Sequence, residues 1–453
     1  MSQQNDNKDA LKSELEGSAY TEHLSAVNQS RAVVASQDIY NARGILLVRK
    51  GAALDKKAAN KIIQYKLLKP LEESISIENT LDGRQLYEAI ETTVSADPVL
   101  KYFHESLNLQ DELKELCLLY NTYPILVQKI TVLSIQMPIV FIAGVVSASI
   151  GFVLAHHLGL DNDAKRVVFL AGLSQNVGML HIDSEMVQKK GSYTVEQRRA
   201  LQVHPIIGEK VLSSIEKLPD GVATAVLEHH ECADGSGYPK GVWGDQLSIE
   251  SQIIAFVDSL FAIYKSTLLK KGYTFKEIIP IMQWSNSAHF YQVYEVAVQL
   301  MRAQHVPDTR HYQDEDIPHL IDQLIVDDRH LAERYTQKKS LLDALPPHTP
   351  YRKLNTSIAI HDRIHNAVSS TGLTSAEYEG WLQDVKDNQI TEEYMEVERA
   401  ALVHSEFRYQ LQLLDNNLRA TIDESPSIDG NIKSIINEWL QHGEAYDQAI
   451  SAA

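Results

Sequence analysis

Cysteine is nearly absent from this chain: only Cys117 and Cys232 occur in 453 residues. Two thiols cannot build a disulfide framework, so the fold must rest on apolar burial, and a reducing compartment fits. Positive charge is also short. The 42 Lys and Arg residues face 60 Asp and Glu, for a formal net charge of -18. Such a balance repels phosphates and excludes a nucleic-acid polymer as partner unless a local basic patch intervenes. Lys56, Lys57, Lys61, Lys66 and Lys69 lie together, but a solvated helix face accounts for them. The opening MSQQNDNKDALKSE is polar and acidic, unlike a signal peptide.

From Val132 to Ala155 no charged side chain interrupts the sequence, and that length could span a bilayer. Gln136, Pro138, several small residues and flanks without a strong basic bias weaken that reading. A helix buried on all sides is the expectation, and a membrane-anchored receptor is the alternative.

Hydrophobic content of 44% and charged content of 23% are ordinary for a soluble globular protein, and the length suggests two or three domains. Residues 1–30 read as a disordered or only locally helical tail. Residues 31–80 form a small αβ module: short β-rich runs are punctuated by Asn41, Gly44 and Gly51, and Asp55 opens a helix that Pro70 ends. Helical periodicity dominates residues 82–306. After the polar linker VPDTRHYQDEDIP, residues 317–453 read as a helical extension broken by LPPHTP and DESPSIDG. The fold class is mainly α: an all-helical core, a small αβ N-terminal module and a helical C-terminal extension. No internal repeat is visible.

The chemistry concentrates in the helical centre. His229-His230 runs into Glu231-Cys232-Ala233-Asp234 and a turn, Gly235-Ser236-Gly237-Tyr238-Pro239. Upstream, His204 opens HPIIGEKVL; downstream, Asp258 ends the apolar run IIAFVD. Three histidines and a carboxylate from separate helices are the composition of a transition-metal site. Histidines such as His156, His157 and His181 are better read as hydrogen-bonded core or surface residues, and Cys232 as incidental.

Order and spacing from about Gly144 to Val298 resemble the HD-GYP domain, a branch of the HD phosphohydrolases that hydrolyses bacterial cyclic di-GMP. FLAGLSQNVGMLHID resembles the stretch around that family's His-Asp doublet. MVQKKGSYTVEQRRALQVHPIIGEKVL resembles the helices that follow it, and HHECADGSGYPKGVWGDQLSIESQIIAFVD the signature region. The resemblance implies His204, His229, His230 and Asp258 as metal ligands. It implies Lys189, Asp234, Gly237, Tyr238 and Pro239 as substrate-binding residues.

The departures are specific. Gln175-Asn176 stand where the family has His-Asp, Met179 replaces a lysine, and the preceding helix, AGVVSASIGFVLA, offers no ligand. Thr267-Leu268-Leu269-Lys270 occupies the place of an arginine-bearing phosphate clamp. In such sites the doublet's carboxylate bridges two cations. Two divalent ions about 3.7 Å apart repel by on the order of 18 kcal/mol at an effective dielectric near 20. Asn176 brings no negative charge to offset that repulsion, and amides at 175 and 176 are weak ligands. No catalytic residue is therefore expected.

The reading is a degenerate HD-GYP signalling protein of the bacterial cytoplasm. It acts through protein partners of a signalling pathway or by binding cyclic di-GMP, without membrane insertion. One divalent ion (Fe, Mn or Zn) or none is the expected cofactor. The alternative is an active metal-dependent phosphohydrolase cleaving cyclic di-GMP.

Overall fold

The computed structural model describes residues 19–105, 108–187, 189, 193–284, 290–345, 349–425 and 427–452. Most of the tail expected at residues 1–30 lies outside them; residues 19–27 are helical. Helices make up most of the described chain and four short strands the rest of its regular structure. Two compact units emerge, one from Met1–His230 with Leu247–Phe261, the other from Glu231–Gln246 with Ala262–Ala453.

In the first unit, strand Val33–Ala35 pairs antiparallel with Ile75–Ile77, and Ile39–Tyr40 with Leu46–Val48. Val33 and Ala35, and Ile75 and Ile77, turn inward while Ser76 faces out and Val34 is half-buried, the period-2 pattern of a half-buried strand. Asp55 caps helix Lys56–Ile63 by accepting from the Ala58 N–H. A buried ion pair fixes this module to the helices: Lys129 Nζ is 2.6 Å from Glu72 Oε1. The same ammonium is 3.0 Å from His181 Nε2 and 3.2 Å from the Tyr20 ring centroid. Burial alone would raise the Glu72 carboxyl, but Lys129 wins and holds it at about 2.

The apolar run becomes two helices, Pro124–Gln136 and Pro138–His157. Pro138–His157 is long and apolar enough to cross a membrane, as is the stretch Ile249–Lys271. Every residue from Gly144 to Ala155 is nevertheless buried in the helical core. Its small residues permit close packing on helix Asn162–Ser174. A Cβ on Gly144 would lie 2.7 Å from the Leu173 carbonyl oxygen, and one on Gly172 would lie 2.7 Å from the Ala148 nitrogen. That approach places Gln175, which caps Asn162–Ser174, inside the core.

The second unit is a bundle. Its helices include Ile317–Leu342, Arg352–Thr371, Ala376–Asp387, Tyr394–Glu424 and Gly430–Ala452. Trp284, Leu354, Phe407, Leu411, Leu414 and Trp439 fill one core. The buried Arg334–Asp415 ion pair is completed by a hydrogen bond from Trp439 Nε1. Ile436 and Trp439 turn inward from the last helix while Asn431, Lys433, Asn437 and Glu438 face water, as amphipathic spacing predicts.

Candidate functional site

His204 begins helix His204–Ser213, with Pro205 behind it in the first turn, where a missing N–H costs nothing. The short turn Val177–His181 packs directly on its backbone. A Cβ on Gly178 would come within 2.0 Å of the His204 carbonyl oxygen, so only glycine fits. His229 caps the C-terminus of helix Val222–Glu228, and His230 follows it.

These three side chains converge. His204 Nε2 is 3.1 Å from His229 Nε2 and 3.2 Å from His230 Nε2. The tautomers follow from the outer nitrogens. His204 Nδ1 lies 2.8 Å from the Leu201 carbonyl oxygen, and His229 Nδ1 lies 2.6 Å from that of Val226. A carbonyl only accepts, so each Nδ1 carries the proton and each Nε2 presents a lone pair. His230 Nδ1 faces Asp258 Oδ2 at 3.3 Å, which assigns its proton in the same way. Three lone pairs thus point at one place, which is unfavourable without a cation among them.

Charge on the imidazoles is disfavoured too. Burial, aided by neighbouring His229, pushes His204 down to about 3, and burial pushes His229 down to about 4. Burial and the two neighbouring imidazoles also hold His230 well below the ordinary range. Neutral imidazole is the metal-binding form. A tetrahedral ion with Zn–N bonds near 2.05 Å keeps its ligand nitrogens about 3.3 Å apart, so this donor set fits one ion. Among the described residues these histidines form the group able to hold a metal.

Asp258 stands behind this trio rather than in it. Its Oδ1 accepts a 2.6 Å hydrogen bond from Gln175 Nε2, and its Oδ2 faces His230. A carboxylate behind a ligand histidine orients the ring and strengthens it as a donor. Gln175 is fully buried, and its Oε1 has no hydrogen-bond partner. Asn176 is half-buried and makes no side-chain capping bond. Lys189, expected at a substrate, is exposed; its Nζ donates to Gln197 Oε1 at 2.7 Å.

The signature loop belongs to the second unit, where its polar groups are already engaged. Asp234 accepts from the Ser236 N–H at 3.0 Å and from Arg363 Nη1 at 3.1 Å. Arg352 Nη1 donates to the Pro239 carbonyl oxygen at 2.7 Å, and its Nη2 lies 3.5 Å from that of Gly237. Both arginines come from helix Arg352–Thr371. Glu231, 2% exposed, accepts from the backbone N–H groups of Lys240, Gly241 and Val242 at 2.6, 2.9 and 3.3 Å. Tyr238 is half-buried in the same turn. Burial, with the charge of Asp234, pushes the Cys232 thiol up to about 11, so it carries no thiolate at neutral pH.

Several of these roles escape a sequence reading. Glu231 had a signal, being an acid directly before a glycine-rich run of free N–H groups. Arg352 and Arg363 had none, because they lie more than a hundred positions from the loop they hold.

Residues 134–291 match the family model "HD domain". The cyclic di-GMP phosphodiesterase response regulator RpfG of Xanthomonas campestris is 31% identical over 122 residues, 27% of this chain and 32% of that protein. The 3'3'-cGAMP-specific phosphodiesterase 1 of Vibrio cholerae is 29% identical over 130 residues, 29% of this chain and 30% of that protein. The matched stretch thus spans about a third of these relatives' length. A solved HDG"Y"P protein from Bdellovibrio bacteriovorus aligns with 60% of this chain and 95% of its own, at 14% identity and a TM-score of 0.33. A score that low leaves the likeness without weight. Over its helical centre the chain is therefore similar to the HD domain and to phosphodiesterases of cyclic dinucleotides.

Proposed function

We propose that this chain is a degenerate HD-GYP-type signalling protein of the cytoplasm that holds one divalent ion and works by binding rather than cleavage. The observation carrying this reading is the Gln175–Asp258 hydrogen bond. Where a dinuclear site needs anionic ligands, a neutral amide occupies the remaining carboxylate, and Asn176 adds no charge. His204, His229 and His230 would hold the ion, which supplies a Lewis-acid centre when bound. The protein's own part is to keep three imidazoles neutral, aim their Nε2 atoms at one place and brace His230 with Asp258.

The loop supports a protein partner over a nucleotide. The Asp234 carboxylate and the carbonyls of Gly237 and Pro239, which could contact a dinucleotide, are engaged by the chain's own arginines. Elemental analysis of purified protein, with cyclic di-GMP and 3'3'-cGAMP turnover under added Mn, Fe or Zn, tests the reading. The expected result is one ion per chain and no linear dinucleotide; zero ions would refute the trio as a metal site. Turnover to linear dinucleotide, with one ion or two, would establish the phosphohydrolase alternative.

A further inference from the structure

The αβ module differs in charge from the rest of the chain. Residues 31–80 hold nine Lys and Arg against five Asp and Glu, a net +4, so the remainder carries -22. None of the nine cations sits in an ion pair among the described residues, although Lys101, Lys114, Arg166 and Arg399 elsewhere do. Arg31 and Lys61 donate only to backbone carbonyls, of Asn79 and Leu47.

Unpaired charge and exposed apolar surface coincide in one place. The Ala42 N–H donates to the Lys66 carbonyl oxygen at 2.8 Å, and the Leu68 N–H to that of Tyr40 at 3.0 Å, so segments 40–45 and 65–68 run side by side. Ile45, Tyr65 and Leu68 are 57%, 47% and 59% exposed. Arg43, Lys66 and Lys69 are exposed between and beside them. A solvated helix face explains Lys56 and Lys57 but not this strip, which lies outside the helix and displays aliphatic side chains to water.

We propose that this face docks reversibly on an anionic lipid bilayer. Lysines beside aliphatic and tyrosine side chains form an interfacial anchor: cations meet the headgroups while Ile45, Leu68 and the Tyr65 ring enter the headgroup boundary. Single-stranded nucleic acid fits less well, because base stacking needs several aromatic platforms and this strip has one. The acidic remainder favours an orientation with this module toward a negative surface, since the module is net positive and the remainder net negative. Screening over about 8 Å at physiological salt keeps carboxylates beyond that range from cancelling the attraction. The proposal uses none of the histidine-site residues and stands whether or not the chain cleaves dinucleotides.

The test is co-sedimentation of the full chain with phosphatidylcholine vesicles containing or lacking about one third phosphatidylglycerol. Binding is expected to the anionic vesicles only and to fall as salt rises. Lys66→Gln with Lys69→Gln should weaken it about 25-fold, at roughly fivefold per lysine. Ile45→Ser with Leu68→Ser should also weaken it, and unchanged thermal melting confirms that these exposed substitutions leave the fold intact. No binding to anionic vesicles overturns the proposal. So does binding that ignores the Ile45 and Leu68 substitutions, which would mark a nonspecific polyanion contact.

Discussion

The histidine trio and the signature loop adjoin in sequence at His230 and Glu231, yet their polar groups have met opposite fates. In the trio, each outer nitrogen is fixed by a protein acceptor while the three Nε2 lone pairs are left facing one another. In the loop, donors from a helix more than a hundred residues downstream have taken the acceptors. One region is arranged for something the chain does not supply, and the other is completed from within. Similar residues at similar spacing therefore say which groups are present, but not whether they remain available.

The most severe way to break the comparison is His229→Ala. Elemental analysis should find the bound ion lost, because two imidazoles cannot hold what three do; an unchanged ion content would refute the trio as its site. Arg363→Met tests the other side. Arg363 is buried and Asp234 nearly so, with side chains 6% and 11% exposed. Removing one partner strands the other charge at a cost of about 3–5 kcal/mol. For a unit of this size that corresponds to a melting point lower by roughly 10 °C. Ion content should not change.

Acid titration of the metal-free protein sharpens the trio's side. His204 and His229 are held at about 3 and about 4 in the fold, against 6.5 for an unhindered histidine. Depressed values mean that the unfolded chain binds protons first. Their contribution is therefore intact above about pH 6.5 and is lost as pH falls toward 4 and then 3. Each histidine costs about 1.4 kcal/mol per pH unit within that window, so near pH 5.5 the two together cost about 3 kcal/mol. A metal-free melting point that is flat from pH 7 to 5 would contradict the burial that neutralises them.

What the sequence made legible was spacing. His204, His229 and His230 could be grouped because each sits beside a helix boundary marked by proline or a glycine-rich turn. The small residues of Gly144–Ala155 could be read as a buried helix, but not as the surface that seats Gln175, since backbone approach leaves no pattern in one strand of text. Asp258 was expected among the ligands. Its place behind His230 depends on Gln175, 83 positions away, donating to it. Long-range pairing of this kind carries no local periodicity, and Arg352 and Arg363 were invisible for the same reason.

Asp258→Asn probes that bracing role at smaller scale. Losing a carboxylate behind a ligand histidine lowers metal affinity by about 10–100-fold without abolishing binding. A competition titration with a chromophoric chelator would read this. Complete loss would place Asp258 among the ligands themselves.

The gentlest test is Arg352→Ala. Arg352 is exposed, so its bonds to the Pro239 and Gly237 carbonyls contribute about 1 kcal/mol or less. Hydrogen exchange at Lys240, Gly241 and Val242 should stay slow, because Glu231 accepts those N–H groups independently of the arginine. The informative readout is calorimetry with cyclic di-GMP. If the loop keeps a nucleotide-competent shape and Arg352 merely covers it, the variant gains heat of binding that the parent lacks. If neither binds, the loop has been given over to holding helix Arg352–Thr371, and availability rather than identity separates it from the trio.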